Sequence, residues 1–274
     1  MKGNVEERDR PLRYVPPDRI KDAIRAAGTN SPRQIQRVYQ EARRTLRPIL
    51  NSVIEGEDLR SAQVKSAVAL RRVYSQMRDV GRRASGLQEL RADDTLYHEE
   101  ERWFRSAVRE ETRYWNTFLS EVEAGATVNI DARFDAYIDA LRFMYEASRI
   151  AAMPDNVLLH WMGPRDERLC KGCAYMLEMS PFTKDNIPAV PRDGMTQCLT
   201  HCRHRIVVRV ASDLNEVVRR RQQLPRRDKM IRALKERLRR GGRALARPVN
   251  AFRGDKITAP VSKPIPGLPP FRRP

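Results

Sequence analysis

No stretch of this chain approaches the roughly 18 consecutive apolar residues that a membrane-spanning helix needs, so a transmembrane protein is not expected. The opening residues, MKGNVEERDRPLRYVPPDR, hold no apolar h-region, and a secretory signal is not expected either. Motifs of common enzyme classes are also missing. There is no Gly-rich phosphate loop, no G-x-S-x-G and no H-E-x-x-H. Cysteine is scarce. The 274 residues contain four, Cys170, Cys173, Cys198 and Cys202, all in one short window. Without a secretory leader, a disulfide framework is the less favoured use of such a set.

Positive charge, by contrast, is abundant. Lys and Arg number 53 against 35 Asp and Glu, a formal +18. Residues 212–274 hold 18 basic and 5 acidic side chains, which places +13 in the last quarter of the chain. Such a segment attracts polyanions: nucleic acid, an acidic protein surface or an anionic membrane. Its bland alternative is a solubilising tail. Arg219, Arg220, Arg221, Arg226, Arg227, Arg237, Arg239 and Arg240 crowd into the part with helical character and are the candidate polyanion contacts. Phe252 and Phe271 are the only aromatics after Ser212, so base stacking should be minor and sequence preference weak.

Apolar periodicity organises the first half. Residues 1–30 hold three prolines and scattered charge, which predicts an extended arm. Ser31-Pro32-Arg33-Gln34 predicts a sharp helix start, with Ser31 as N-cap and Pro32 at the first turn. Helical stripes follow: Ile35 to Ile49; Val64, Ala67, Val68, Tyr74 and Met77; Trp103 to Val122; and Phe134 to Ala147. Gly81 to Gly86 should weaken the second of these. The expected fold is therefore mainly α: an elongated helical bundle over 31–153, with a core including Trp103, Trp115, Phe118, Phe134, Leu141 and Tyr145. Residues 154–211 change texture, with Pro, Cys and short β-type runs, and predict a small loop-rich α+β module of zinc type. A basic helix over 212–243, interrupted at Pro225, and a Pro/Arg-rich extended tail over 244–274 complete the chain.

The cysteines fall as Cys170-x2-Cys173 and Cys198-x3-Cys202. A C-x2-C turn brings two thiolates to one point, and two such pairs can surround a tetrahedral metal ion. Zinc is the expected ion, and it would crosslink a segment poor in apolar residues. His201 and His204 flank Cys202, so a set of three cysteines and one histidine stays open beside the set of four cysteines, as do reduced thiols without metal. A closed four-ligand site leaves no position for water, which argues against a catalytic metal.

One longer pattern runs through this region: Tyr145 to Ala152 as an Ala- and Arg-bearing helix, Val157 to Trp161, Asp166 to Cys173, then Cys198 to Ile206. It resembles the C-terminal module of tailed-phage head morphogenesis proteins, the Mu-like minor head proteins. Cys170, Cys173, Cys202 and Arg203 match that motif directly. His204 stands where the family has its last cysteine, Leu199-Thr200 replaces its His-Pro pair, and Cys198 comes one residue early. The resemblance implies a non-enzymatic virion protein, placed in the capsid interior or at the portal vertex and in the host cytoplasm during assembly. Its implied partners are the portal or major capsid protein and packaged double-stranded DNA, with several copies in a symmetric assembly and no membrane. The alternative is a zinc-containing nucleic-acid-binding protein or nuclease acting outside a particle.

Overall fold

Ser31-Pro32 opens a helix as the sequence predicts, and a mainly α architecture follows from it. The computed structural model describes residues 14–28, 31–86, 95–126, 129–193, 196, 198 and 201–242, with backbone alone at 26–28, 95–99 and 237–242. Among the described residues there are eight helices and one two-stranded sheet. The tail expected over 244–274 lies outside them.

The bundle consists of α2 (Ser31–Ile54), α3 (Leu59–Ala84), α4 (Thr95–Glu123) and α5 (Ile130–Ala152). Asp58 caps α3, its carboxylate accepting the Ser61 N–H at 2.7 Å. Asn129 caps α5 from a left-handed backbone, φ 62°, a conformation that asparagine tolerates. At the centre sits Trp115. Its ring meets Phe118, Phe134 and Tyr137 edge-on at 5.5, 6.0 and 5.3 Å, and its Nε1–H donates to Ser66 Oγ at 2.8 Å. All six residues expected in the core are buried.

One stripe is on a partly different face. Tyr74 and Met77 are buried as expected, but Val64 and Val68 are 62% and 69% exposed, and α3 buries Ala62, Ser66, Ala69, Leu70 and Val73 in their place. Small residues win here because α3 is packed against α2, α4 and α5 at once. Gly81 does not weaken the helix. A Cβ there would collide with the Tyr145 carbonyl of α5, so glycine permits the close crossing.

The arm expected over 1–30 is helical over part of its length, as α1 (Pro17–Gly28). Pro17 suits a first turn, Asp18 complements the helix dipole, and Ile20 is fully buried. Gly86, at φ +64°, leaves room for the Ala23 backbone, where any side chain would clash. Val15 is held by the buried Asn156: its N–H donates to Oδ1 at 3.3 Å, and Nδ2 donates to its carbonyl at 2.8 Å.

After Pro154 the chain forms β1 (Val157–Met162), α6 (Lys171–Met179) and β2 (Arg205–Val210). The strands pair antiparallel, with Leu159 opposite Val208 and Trp161 opposite Ile206. The inner residues Val157, Leu159 and Trp161 join the same apolar core as the bundle, so the core is continuous across residue 154. The basic helix expected over 212–243 is two helices, α7 (Leu214–Gln223) and α8 (Arg227–Gly242), separated at Leu224-Pro225-Arg226.

Leu141→Ala should cost on the order of 2–5 kcal/mol in urea unfolding, from lost burial plus a cavity. Gly81→Ala should cost about 1–3 kcal/mol by forcing α3 and α5 apart. Val68→Ala, at an exposed site, should stay within about 0.5 kcal/mol. Equal losses at positions 68 and 141 would contradict this assignment of the α3 face.

Candidate metal centre

A helix start positions the first cysteine pair. Cys170 is the N-cap of α6, and its Sγ accepts the Cys173 N–H at 3.3 Å. That geometry turns both sulfurs to one side and sets them near the positive end of the helix dipole, which favours thiolate. The second pair comes from the turn before β2, where the His201 N–H bonds the Cys198 carbonyl at 2.9 Å.

The sulfurs converge. Cys173 Sγ lies 3.4 Å from Cys198 Sγ and 3.7 Å from Cys202 Sγ, and Cys170 Sγ lies 3.8 Å from Cys198 Sγ. All four cysteines are free, and these separations exclude a disulfide, whose sulfurs lie about 2.05 Å apart. Two triads of ligand atoms result, Cys170–Cys173–Cys198 and Cys173–Cys202–His204, sharing Cys173. The cluster of four cysteines and His204 can hold a metal ion.

Its electrostatics fit a cation. Hydrogen bonding with Cys173, and then with Cys198, holds the Cys202 thiol down to about 4. Bonds with Cys170, Cys198 and Cys202 push Cys173 well up, so one sulfur keeps the proton that its neighbours share. A central cation removes that conflict by making all of them thiolates. Thr196 Oγ1 adds a polar contact on Cys198 Sγ at 3.2 Å.

His204 is buried beneath Trp161, their rings stacked at 6.0 Å. Its Nδ1 lies 3.8 Å from Cys202 Sγ, and its buried Nε2 has no partner. Burial pushes its pKa down, favouring the neutral ring that a metal ligand requires. Gly163 is needed here, since a Cβ would strike the imidazole. His201 is not part of the centre. It is 65% exposed, faces Asp139 at 3.9 Å, and belongs to neither triad. A short turn carries its ring outward while Cys202 points in.

Sequence reasoning missed the frame around the sulfurs. Arg149 of α5 is half-buried, pairs with the buried Glu146 at 2.8 Å and donates to the Ile206 carbonyl of β2 at 2.7 Å. Burial opposes its charge, and Glu146 more than compensates, leaving its pKa raised. Asp166 and Arg203 form a forked pair at 2.6 and 2.7 Å, which holds the Asp166 carboxyl down to about 2. Arg192 Nε donates to the Cys202 carbonyl at 3.2 Å. The buried Lys184 donates to the carbonyls of Ala151 and Met153 at 3.0 and 2.7 Å, closing the end of α5. Only the presence of Arg149, Asp166 and Arg203 within the family-like pattern signalled any of this.

The candidate polyanion contacts divide. Arg219 and Arg226 are exposed. Arg220 is turned inward, donating to the carbonyls of Met179 and Pro181 at 2.7 Å each, and burial lowers its pKa. Arg221 pairs with Asp185, and the buried Arg227 donates to the Ile187 carbonyl at 3.0 Å. Arg220, Arg221 and Arg227 are therefore structural, tying the two helices to the segment at 179–187 through its carbonyls and Asp185. Arg237, Arg239 and Arg240 lie on α8, with side chains outside the described atoms. No helix among the described residues is long and apolar enough to cross a membrane.

Cys173→Ser, which removes the sulfur shared by both triads, should abolish metal retention, read as metal per chain by elemental analysis. His201→Ala should leave it unchanged. Chelation should expose residues 163–204 to protease while the helical circular dichroism of the bundle persists. Metal loss from His201→Ala would contradict this ligand assignment.

Comparison of the chain with protein-family models, with curated proteins and with solved structures finds no match.

Proposed function

We propose that this chain is a structural minor head protein of a tailed bacteriophage, an assembly component rather than an enzyme. The observation that carries this reading is the role of the residues in the family-like pattern. Arg149 ties α5 to β2, Trp161 stacks on His204, Asp166 clasps Arg203, and the cysteines converge between them. Each serves architecture. The ion in this reading is zinc. Four thiolates at about 2.3 Å from a tetrahedral centre have sulfur–sulfur edges near 3.8 Å. The separations of 3.4, 3.7 and 3.8 Å lie close to that value, while Cys202, grouped with Cys173 and His204, stands further from Cys170 and Cys198. A sphere closed by Cys170, Cys173, Cys198 and Cys202 stabilises the fold and leaves no place for a reacting water.

In this reading the chain stands in several copies near the portal or on the inner capsid wall, against the portal or major capsid protein. Packaged DNA meets its basic C-terminal region. The exposed contacts are Arg219 and Arg226, joined on α8 by Lys229 and Arg232. Their binding is to phosphate and carries no base readout.

Heads purified from the producing cells should contain the chain at a fixed ratio to the portal protein, measured by quantitative mass spectrometry. Absence from particles, together with metal-dependent strand cleavage by the purified chain, would establish the nuclease alternative instead. Elemental analysis should find about one zinc per chain, as a single closed site requires. Random duplex DNA should bind with an affinity that falls with salt. If about four phosphates are engaged, the log–log slope is about −3.6. Arg219→Ala with Arg226→Ala should flatten it by about 2. Affinity that is flat in salt would refute the DNA contact.

A further inference from the structure

A cleft of about 300 Å³ opens between α2, α5 and the turn that carries the second cysteine pair. Four guanidinium groups line it, those of Arg142, Arg192, Arg203 and Arg205, against a single carboxylate, Glu146. Such a concentration of one charge in a concave site is costly unless something of opposite charge enters it. Asp139 and Asp166, which pair with Arg192 and Arg203, are not among the lining residues.

The arginines are held without being used up. Arg203 gives two N–H groups to Asp166, Arg142 gives one to Glu146 at 3.3 Å, and Arg192 spends its Nε on the Cys202 carbonyl. A guanidinium carries several further donors in a planar fork. Arg205, at the start of β2, is exposed, and its side chain makes no hydrogen bond or ion pair with the described residues. Gln36 and Tyr39 of α2 face the same space and add neutral hydrogen-bonding groups. Burial pushes the Tyr39 hydroxyl's pKa up, against the opposing pull of the Arg192 charge beside it.

We propose that this cleft binds a phosphate group, with Arg205 as its principal free donor and Arg142, Arg192 and Arg203 as a preset wall. Planar forks arranged around a concavity match the tetrahedral oxygens of phosphate better than they match a single carboxylate. The volume, about ten times a water's share of liquid, exceeds what bare phosphate fills and leaves room for an attached sugar. Free phosphate and a nucleotide-borne phosphate share this chemistry. The site is separate from the exposed arginines of α7 and α8, and it does not depend on the head-protein reading.

The test uses the full, metal-loaded chain and isothermal titration with inorganic phosphate at constant ionic strength, with chloride as the reference. Saturable binding at one site is expected. Arg205→Ala should weaken it about tenfold, the loss of a charge-assisted hydrogen bond, with unchanged metal content and circular dichroism. Arg60→Ala, at an exposed arginine of α3 away from the cleft, should leave it unchanged. Thymidine monophosphate binding tighter than phosphate would identify a nucleotide or a DNA end as the source, and equal affinity would identify free phosphate. No heat beyond chloride, an unaltered Arg205→Ala variant, or equal losses from Arg205→Ala and Arg60→Ala would overturn the proposal.

Discussion

A carbonyl oxygen that leaves water must find a donor, and the described residues between Pro154 and Ser212 have little regular secondary structure to supply one. Two strands of six residues and a nine-residue helix span the region between Val157 and Val210. The deficit is met by cationic side chains. Arg149 serves Ile206, Lys184 serves Ala151 and Met153, Arg192 serves Cys202, Arg220 serves Met179 and Pro181, and Arg227 serves Ile187. A long basic side chain reaches across a gap that a backbone N–H cannot, and its charge strengthens the bond. Each contact also ties together segments distant in sequence: α5 to β2, α7 to the loop after α6, and α8 to the same loop.

The sulfur cluster solves a neighbouring problem. Between Met162 and Arg205 only α6 is regular among the described residues, and few apolar residues are available to order the rest. Convergent thiolates provide one strong crosslink where a core of ordinary size cannot form. Asp166 and Arg203 clasp the loop from outside, and Trp161 with His204 close it from beneath. The sulfur cluster and the cationic side chains thus act on different parts of one module, the first on its loops and the second on its junction with the bundle. That junction is a shared core, which is why the change of texture at Pro154 marks a change of chemistry and not a separate body.

The bundle was legible in sequence wherever large side chains mark the buried face. Trp103, Trp115, Phe118 and Phe134 announce α4 and α5, and Ser31-Pro32 announces α2 within a residue. It was illegible where contact requires small residues. On α3 the buried face includes Ala62, Ser66, Ala69 and Gly81, which carry almost no hydrophobic signal, while Val64 and Val68 advertise a face that solvent covers. The short helix α1 escaped because nearby prolines and scattered charge obscure a single buried residue, Ile20. At the metal centre the cysteine spacing was sufficient for the sulfurs. It could not separate His201 from His204, since two residues of turn decide which ring faces in.

Composition misled most at the arginines, and the reason is general. A count of charge sees a polyanion surface, but a guanidinium bonded to a carbonyl remains a full positive charge without offering a contact. Arg220 and Arg227 therefore still add to the positive field of the chain, though both are turned inward onto the segment at 179–187. Long-range attraction and close contact are separate properties here, carried by overlapping but unequal sets of residues. The field follows the formal +18 of the whole chain. Among the candidate contacts whose side chains are described, Arg219 and Arg226 stay exposed at the basic end, and Arg205 stays exposed at the cleft.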